Sequence, residues 1–540
     1  MNNMQRVPIT VSNLALLILK YLTDAGFEAY IVGGAVRDLL LSTETTDYDF
    51  TTSAKPEEIL KIFPEAFYEN DFGTVMLTAS DAEIQFGVKS ASNLELDQLQ
   101  TSNRIIDLAN AHKIHISLQS NLHNPQSDNQ LNDRNFEITT FRSDDAYSDF
   151  RRPDKVSWGS SLKEDLERRD FTINAMAIVV DSKLLSDFDP DQNDLITLNP
   201  DQYQIIDEHH GFEDLSQGII RTVGDPDQRF QEDALRMLRA IRLAVQLNMT
   251  IDPATLQSIK THAHLLEHIS WERISTEFLK MLKSSQPKKA IHLLDETGLL
   301  QLVLPELLDA KGVDQSGHHT TDVWTHSLDA LEACPSSDPV VRLATLLHDI
   351  GKPTTQLKQG DKFTFYNHEV IGARIAKNIS ARLKLSRKDQ DRVFVLVRQH
   401  MFHYQPQNTD SSIRRFMRNV GLENIDDILD LREADRLGSG ARRTSWRLEE
   451  MKERMISQLN QPMEVRDLAI NGDDLMKEFN LKPGPILGKI LNHLFEIVLE
   501  NPEFNEKVKL ISLAQDFLDL DLANSSSQTT NSGAATNVEE

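Results

Sequence analysis

Residues 31–52, IVGGAVRDLLLSTETTDYDFTT, constrain this chain more than any other stretch. Tyr30 to Val32 is apolar and β-branched, which suits a strand, and Gly33-Gly34 permits a tight turn into a helix beginning near Ala35. Such a turn presents backbone N–H groups to a phosphate. Arg37, one turn into the helix, adds a guanidinium to the same phosphates, and Asp38 can hold that arginine in place. Asp47-Tyr48-Asp49 follows in a strand-like run, where a period of two puts both carboxylates on one face. Paired carboxylates suit Mg²⁺, which takes oxygen ligands and bridges to substrate phosphates. Either half alone is usually only a plain turn or a solvated strand end; the two in succession are much rarer and point to phosphate chemistry.

At 540 residues the chain exceeds one ordinary core, so several domains are expected. The single cysteine, Cys334, excludes an intrachain disulfide framework and suits a reducing compartment. Leu14 to Leu19 is apolar but too short to cross a bilayer. The expectation is a soluble cytoplasmic protein with no membrane association. A formal net charge of −26 argues against non-specific nucleic-acid binding, because phosphate contact dominates that affinity. Arginines nevertheless cluster between Arg414 and Arg454, including Arg415, Arg418, Arg432, Arg436, Arg442, Arg443 and Arg447. Singly, they are expected to pair with acids such as Glu433, Asp435, Glu449 and Glu450; as a group they offer a track for an RNA backbone.

GGxVRDxLL followed closely by DxD resembles the first motif of the class II tRNA nucleotidyltransferase and bacterial poly(A) polymerase family, within the DNA polymerase β superfamily. Further elements follow in that family's order. Residues up to about 30 read as an amphipathic helix, with Leu14, Leu17, Ile18 and Tyr21 or Leu22 on one face. Strand signals recur at Thr74–Leu77 and Phe136–Phe141, and Glu137 is a candidate third carboxylate. Between them, residues from about 81 to 134 are rich in Asn, Gln, Ser and Asp and look like an insertion between neighbouring strands. Arg142 to Pro153 reads as a mobile loop beside the site, which in the family accompanies addition of the final adenosine.

LERRDFTINAMA, residues 166–177, resembles the second family motif. Arg168 and Arg169 can neutralise a triphosphate, while Asp170 and Asn174, four apart and so expected on one helix face, can hydrogen-bond ribose hydroxyls. DPDQRFQEDALRMLRAIRLAVQL, residues 225–247, opens with a turn and continues as a helix, with Asp233 and Arg236 at i and i+3 and Arg239 and Arg242 continuing the line. The plain reading is an intrahelical ion pair. The resemblance implies instead that Asp233 and Arg236 select C and A by their hydrogen-bonding edges, with Arg239 on the nucleotide and Glu232 supporting the helix. Glu272-Arg273-Ile274 with Glu277-Phe278 resembles a further element, read as bracing that helix.

From His318 a second pattern appears. His326, the contiguous His348-Asp349 and the distant Asp435 resemble the ligand set of the HD phosphohydrolase superfamily, and His368 and His400 could bind a second metal or a phosphate. Imidazole with carboxylate suits a divalent transition metal. Leu468 to Asn505 resembles the C-terminal helical region of the nucleotidyltransferases, and its KPGPILGK is either an RNA-phosphate contact or a simple turn.

The expected architecture is α+β: a polymerase β-like head with a small mixed sheet over residues 1–180, then all-α regions. These are a nucleotide- and tRNA-recognition neck over 181–310, an HD domain over 311–455, a C-terminal tRNA-binding region over 456–520 and a disordered tail over 521–540. The resemblance implies transfer of CMP and AMP from CTP and ATP onto the 3′ end of tRNA, with Mg²⁺ at Asp47 and Asp49 and a divalent metal at His326, His348, Asp349 and Asp435. An HD phosphohydrolase side activity is a further implication. The rival readings are a poly(A) polymerase or A-adding enzyme, an HD-type phosphohydrolase or phosphodiesterase, and a tRNA-binding scaffold without chemistry.

Overall fold

The structure, a computed structural model, describes residues 7–43, 45, 47–68, 73–87, 135–144, 156–158, 161–188, 194–315, 321–360 and 362–530. Its first helix, α1 (Asn13–Asp24), departs from the amphipathic expectation: every residue from Asn13 to Leu19 is buried, as is Leu22, and only Lys20, Tyr21, Thr23 and Asp24 reach the surface. A helix that is apolar all round must be covered on every side. Here it lies between the sheet and helices Pro56–Ile62, Ala79–Phe86 and Ser182–Ser186.

The sheet contains β1 (Ala29–Val32), β2 (Tyr48–Thr52), β3 (Phe67–Tyr68), β4 (Thr74–Thr78), β5 (Asn135–Thr140), β6 (Ala177–Val180) and β7 (Tyr203–Ile206), in the order β7-β6-β1-β2-β5-β4-β3. Only β2 and β5 run parallel; the other neighbours are antiparallel, so the sheet is mixed as expected. The Phe-rich strands explain its stability. Tyr48, Phe50 and Phe136 are buried with ring centroids 6.2 Å apart pairwise. Because β4 pairs directly with β5, the chain between them does interrupt two adjacent strands. Its first residues, Ala79–Phe86, form a helix with Ala79 and Ala82 buried, and residues 88–134 lie outside the described residues, as does most of the loop expected from 142 to 153.

Helix α2 (Gly34–Leu40) leaves β1 directly, and α3 (Leu162–Glu167) precedes β6. The long helix expected after Asp225 is two helices, α4 (Pro226–Glu232) and α5 (Leu235–Gln246), because Asp233 takes an extended conformation, φ −145° and ψ 105°. Across from α5 packs α6 (Trp271–Lys283).

A helical bundle follows: α7 (Val323–Ala333), α8 (Pro339–Leu347), α9 (His368–Arg382), α10 (Arg387–Gln399), α11 (Asp410–Val420), α12 (Ile425–Gly438) and α13 (Trp446–Gln458). Gly438 sets how closely α12 meets α7, since a Cβ there would lie 2.6 Å from the Ala330 nitrogen. Beyond it, α14 (Pro485–Glu500) and α15 (Lys507–Thr530) enclose a separate core that includes Leu475, Leu494, Phe495 and Val498. The helical backbone to Thr530 replaces the first part of the disorder expected over 521–540, because LISLAQDFLDLDLAN supplies helix formers that carry the helix into the serines; residues 531–540 lie outside the described set. No helix among the described residues is long and apolar enough to cross a membrane.

Phe136→Ala removes a ring that is 1% exposed from the contact of β2 with β5. It is expected to cost about 3–5 kcal/mol, read as a lower urea midpoint for the full chain.

Candidate functional site

The head's polar residues meet at the open end of β1 and β2. Gly33 ends β1 at φ 72°, and a Cβ there would fall 2.7 Å from Asp49 Oδ2 and 2.9 Å from an Arg169 guanidinium nitrogen. The glycine is thus required twice, for its backbone angle and for the approach of an acid and a base. Asp49 sits within β2, half-buried, with Asp47 exposed just before the strand. Burial pushes the Asp49 carboxyl up, and Asp47 adds to this against the opposing pull of Arg169, Arg239 and Arg37. Glu137 is in register with Asp49 across the parallel β2–β5 pair, so the two share a sheet face.

A continuous hydrogen-bonded chain joins α2 to α5. Arg37 donates from Nε and Nη2 to the Asp38 carboxylate, at 2.8 and 2.9 Å, and from Nη1 to Asn174 Oδ1 at 2.7 Å. Asn174 donates to Asp170 Oδ1 at 3.2 Å, and Arg239 donates to Asp170 Oδ2 at 2.7 Å from Nε. Burial alone would raise the Asp170 carboxyl, but Arg239 and Arg236 hold it far below the usual carboxylate range. Asp170 and Asn174 do meet, but not on one helix face as their spacing suggested. Helix α3 stops at Glu167, Phe171 is extended and bridged to Thr222, and Thr172–Asn174 is one 3₁₀ turn, so a bend brings them together.

Arg168 and Arg169 both turn back to Asp165, at 2.6 and 3.1 Å, and that carboxylate is fully buried. Although burial works the other way, these two arginines hold Asp165 below the usual range. Its position three and four residues before the arginines was a legible pairing signal that the motif reading passed over.

Asp233 and Arg236 do not pair with each other. The break at Asp233 points its carboxylate at Arg273, 2.7 Å away on α6, while Arg236 reaches Glu232 at 2.5 Å and the Arg168 carbonyl at 3.1 Å. The intrahelical Asp233–Arg236 pair is therefore absent; Arg236 instead reaches across the break to Glu232 at the end of α4, which also takes Arg229 at 2.9 Å. Arg242 pairs with buried Glu277 at 2.5 Å, so both acid–base links from α6 reach the segment they were expected to brace.

In the bundle a second cluster forms. His326 comes from α7, His348 and Asp349 from the end of α8, His368 from the start of α9, His400 from the end of α10 and Asp435 from α12. His326 Nε2 lies 3.1 Å from His348 Nε2, 3.5 Å from Asp349 Oδ2 and 3.2 Å from Asp435 Oδ1. On the other side of the same carboxylate, Asp349 Oδ1 is 3.4 Å from His368 Nε2 and 3.7 Å from His400 Nε2. Nδ1 of His348, His368 and His400 each donates to the carbonyl three residues earlier, at 2.7 to 2.8 Å, which turns Nε2 inward. His326, His348 and Asp349 form one group able to hold a cation, and Asp349, His368 and His400 another. Lys352 was missed by the sequence reading; its ammonium is 2.6 Å from Asp349 Oδ2. Burial would lift Asp349, yet His348 and Lys352 hold it well below the ordinary range.

The profile of the poly(A) polymerase head domain matches residues 29–124 and 108–221, and that of an RNA- and SrmB-binding site of polymerase A matches 248–311. A profile of tRNA nucleotidyltransferase domain 2 matches 370–514. The CCA-adding enzyme of Ligilactobacillus salivarius is 31% identical over 505 residues, covering 94% of this chain and 96% of that protein. The CCA-adding enzyme of Streptococcus mutans is 30% identical, covering 94% and 97%. The crystal structure of the Bacillus stearothermophilus CCA-adding enzyme in complex with CTP is 26% identical and covers 94% of this chain and 98% of that one, with a TM-score of 0.60.

Asp165→Ala leaves Arg168 and Arg169, whose side chains are 16% and 15% exposed, without their buried counter-charge. The expected cost is about 3 kcal/mol, measured by urea unfolding.

Proposed function

This chain belongs to the family of CCA-adding enzymes, and on that premise we propose that it builds the CCA end of tRNA from CTP and ATP, in the cytoplasm, using Asp47 and Asp49 as its catalytic acids. The observation that carries the residue assignment is the convergence of Gly33, Asp49 and Arg169 within contact distance at the end of β1. The tRNA 3′-hydroxyl oxygen attacks the α-phosphorus of the nucleotide, the bond to the β-phosphate oxygen breaks, pyrophosphate leaves and the hydroxyl proton passes to solvent. Gly33, Gly34, Arg37, Arg168 and Arg169 hold the triphosphate, with Asp38 fixing Arg37, and Asp170, Asn174 and Arg239 orient the ribose end.

Asp47 and Asp49 suit Mg²⁺: two hard oxygen donors stand close enough for Asp47 to raise the Asp49 carboxyl, a repulsion that a cation relieves. Bound there, Mg²⁺ supplies charge neutralisation at the reacting phosphate. Asp233 and Arg236 choose the base. Each is anchored from behind, by Arg273 and Glu232 respectively, so each presents its remaining hydrogen-bonding capacity in a fixed direction.

A second reading concerns the bundle. His326, His348, Asp349 and Asp435 fit a divalent cation, with His368 and His400 on the far side of Asp349. What supports this is the inward turn of three imidazole Nε2 atoms around buried carboxylate. A cation bound there would lower the pKa of a water ligand and so support phosphate-ester hydrolysis as a side activity.

With tRNA lacking CCA and labelled CTP alone, two cytidines should be added; no cytidine incorporation rejects the assignment in favour of an A-adding enzyme. Asp47→Ala with Asp49→Ala should abolish transfer. Arg236→Ala should raise misincorporation of U or G roughly 5- to 150-fold relative to C, the range for one lost bidentate base contact. For the bundle, His348→Ala should lose bound Mn²⁺ in equilibrium dialysis and lose phosphate release from p-nitrophenyl phosphate, both retained in Asp47→Ala.

A further inference from the structure

Asp49 lies on a sheet face whose two sides are unlike. On one side β1, β6 and β7 are covered: Val32 and Ala177 pack with Phe141 and with Leu162 and Leu166 of α3, and Tyr30 and Ile206 rest against them. Val32 is in register with Asp49, so the covered side begins immediately beside the acid. The other side runs from β2 to the sheet edge through consecutive partners. Asp49 pairs with Glu137, Glu137 with Met76 and Met76 with Phe67, and residues in register share a face.

Glu137 is exposed, Met76 is buried, and Phe67 on the edge strand β3 keeps 51% of its surface exposed. Its neighbour Tyr68, in register with buried Val75, belongs to the opposite face. Single exposed aromatics are ordinary on protein surfaces. Phe67 is distinguished by its row: it stands three strands from Asp49, roughly 14 Å at about 4.8 Å per strand, with Glu137 and Met76 between them.

Transfer chemistry decides which side of Asp49 each reactant takes. In an in-line displacement the entering and leaving oxygens stand on opposite sides of the phosphorus. The glycine turn at Gly33, with Arg169 beside it and Arg37 in the helix that follows, sets the leaving pyrophosphate at the β1 end. The attacking 3′-hydroxyl then comes from the β5 side, and the nucleotide that carries it lies toward Met76 and Phe67. A phenyl ring there suits the base of that nucleotide, and stacking tolerates any base because every base has a π-face. Tolerance is what this position needs, since the terminal base of the acceptor changes with each addition.

We propose that Phe67 stacks on the base at the 3′ terminus of the accepting RNA and so sets its hydroxyl on the β5 side of Asp49, while the incoming nucleotide is held on the β1 side. This rests on the assignment of Asp47 and Asp49 to transfer.

The test is steady-state CTP addition by the full chain to tRNA lacking CCA, comparing Phe67→Ala, Phe67→Tyr and Tyr68→Ala. Phe67→Ala is expected to raise KM for tRNA about fivefold or more, the low end for one lost base–aromatic stack, with KM for CTP unchanged. Phe67→Tyr should restore it, and Tyr68→Ala, on the opposite face, should stay close to wild type. An acceptor whose terminal nucleotide is abasic should cost the wild type the same factor and Phe67→Ala nothing further, a coupling that a purely structural defect does not give. Unchanged KM for tRNA in Phe67→Ala overturns the proposal, as do equal rises for tRNA and CTP, an equal effect of Tyr68→Ala, or a further loss by Phe67→Ala on the abasic acceptor. Transfer retained in Asp47→Ala with Asp49→Ala overturns the acid assignment and this proposal with it, an outcome distinct from any of these.

Discussion

The head depends on the ion pair between buried Asp170 and Arg239, whose side chain is 36% exposed. It joins the bend after α3 to the middle of α5, two segments that are far apart in the chain and share no strand pairing. Through Asn174 the same carboxylate reaches Arg37 and so α2, and through Arg236 and the Arg168 carbonyl the α5 helix is tied again to the same bend. A buried ion pair is weak evidence for stability, because desolvation offsets much of the attraction. It does fix geometry: with one partner removed, the other is left as an unpaired charge, so few alternative arrangements of α5 against the sheet remain open. In this chain the pair therefore acts chiefly to hold α5 at a set distance from β1 and the bend after α3.

What was legible in the sequence follows from locality. The strand, glycine turn and helix at residues 29–40 rest on φ > 0 at Gly33 and on short-range periodicity, and they form where expected. The paired acids at Asp47 and Asp49 and the histidine–aspartate set needed only residue type and order to be found. Partnership was not legible. Asp233 and Arg236 look like an i, i+3 pair, yet extended backbone at Asp233 gives each a different partner, Arg273 on another helix and Glu232 one turn back. Asp170 and Asn174 likewise meet across a bend that periodicity alone would draw as helix. Helix α1 failed in the opposite sense: its apolar stripe is real, but three neighbouring helices and the sheet bury its other sides too, which only tertiary packing decides.

The charge of the chain bears on how an acidic protein can serve an RNA substrate. Most arginines between Arg414 and Arg454 are compensated: Arg415 and Arg418 by Glu496, Arg432 by Asp435, Arg443 by Glu433 and Arg454 by Asp410. Compensated surface arginines contribute little attraction at a distance, since their field is dipolar and screened within about 10 Å at 0.1 M salt. Glu496 belongs to α14, so its pairs with Arg415 and Arg418 also dock the C-terminal core against α11; the same charges that looked like an RNA track in sequence act here as interdomain ties. Among the described residues Arg414, Arg436, Arg442 and Arg447 have no carboxylate partner; Arg414 donates to carbonyls of α14 and to Gln458, and Arg442 and Arg447 are exposed. Positive charge in this segment is thus mostly neutralised by neighbouring acids. With a net charge of −26 and most of these arginines neutralised, long-range attraction to a polyanion is weak, so recognition of an RNA end has to come from short-range contacts.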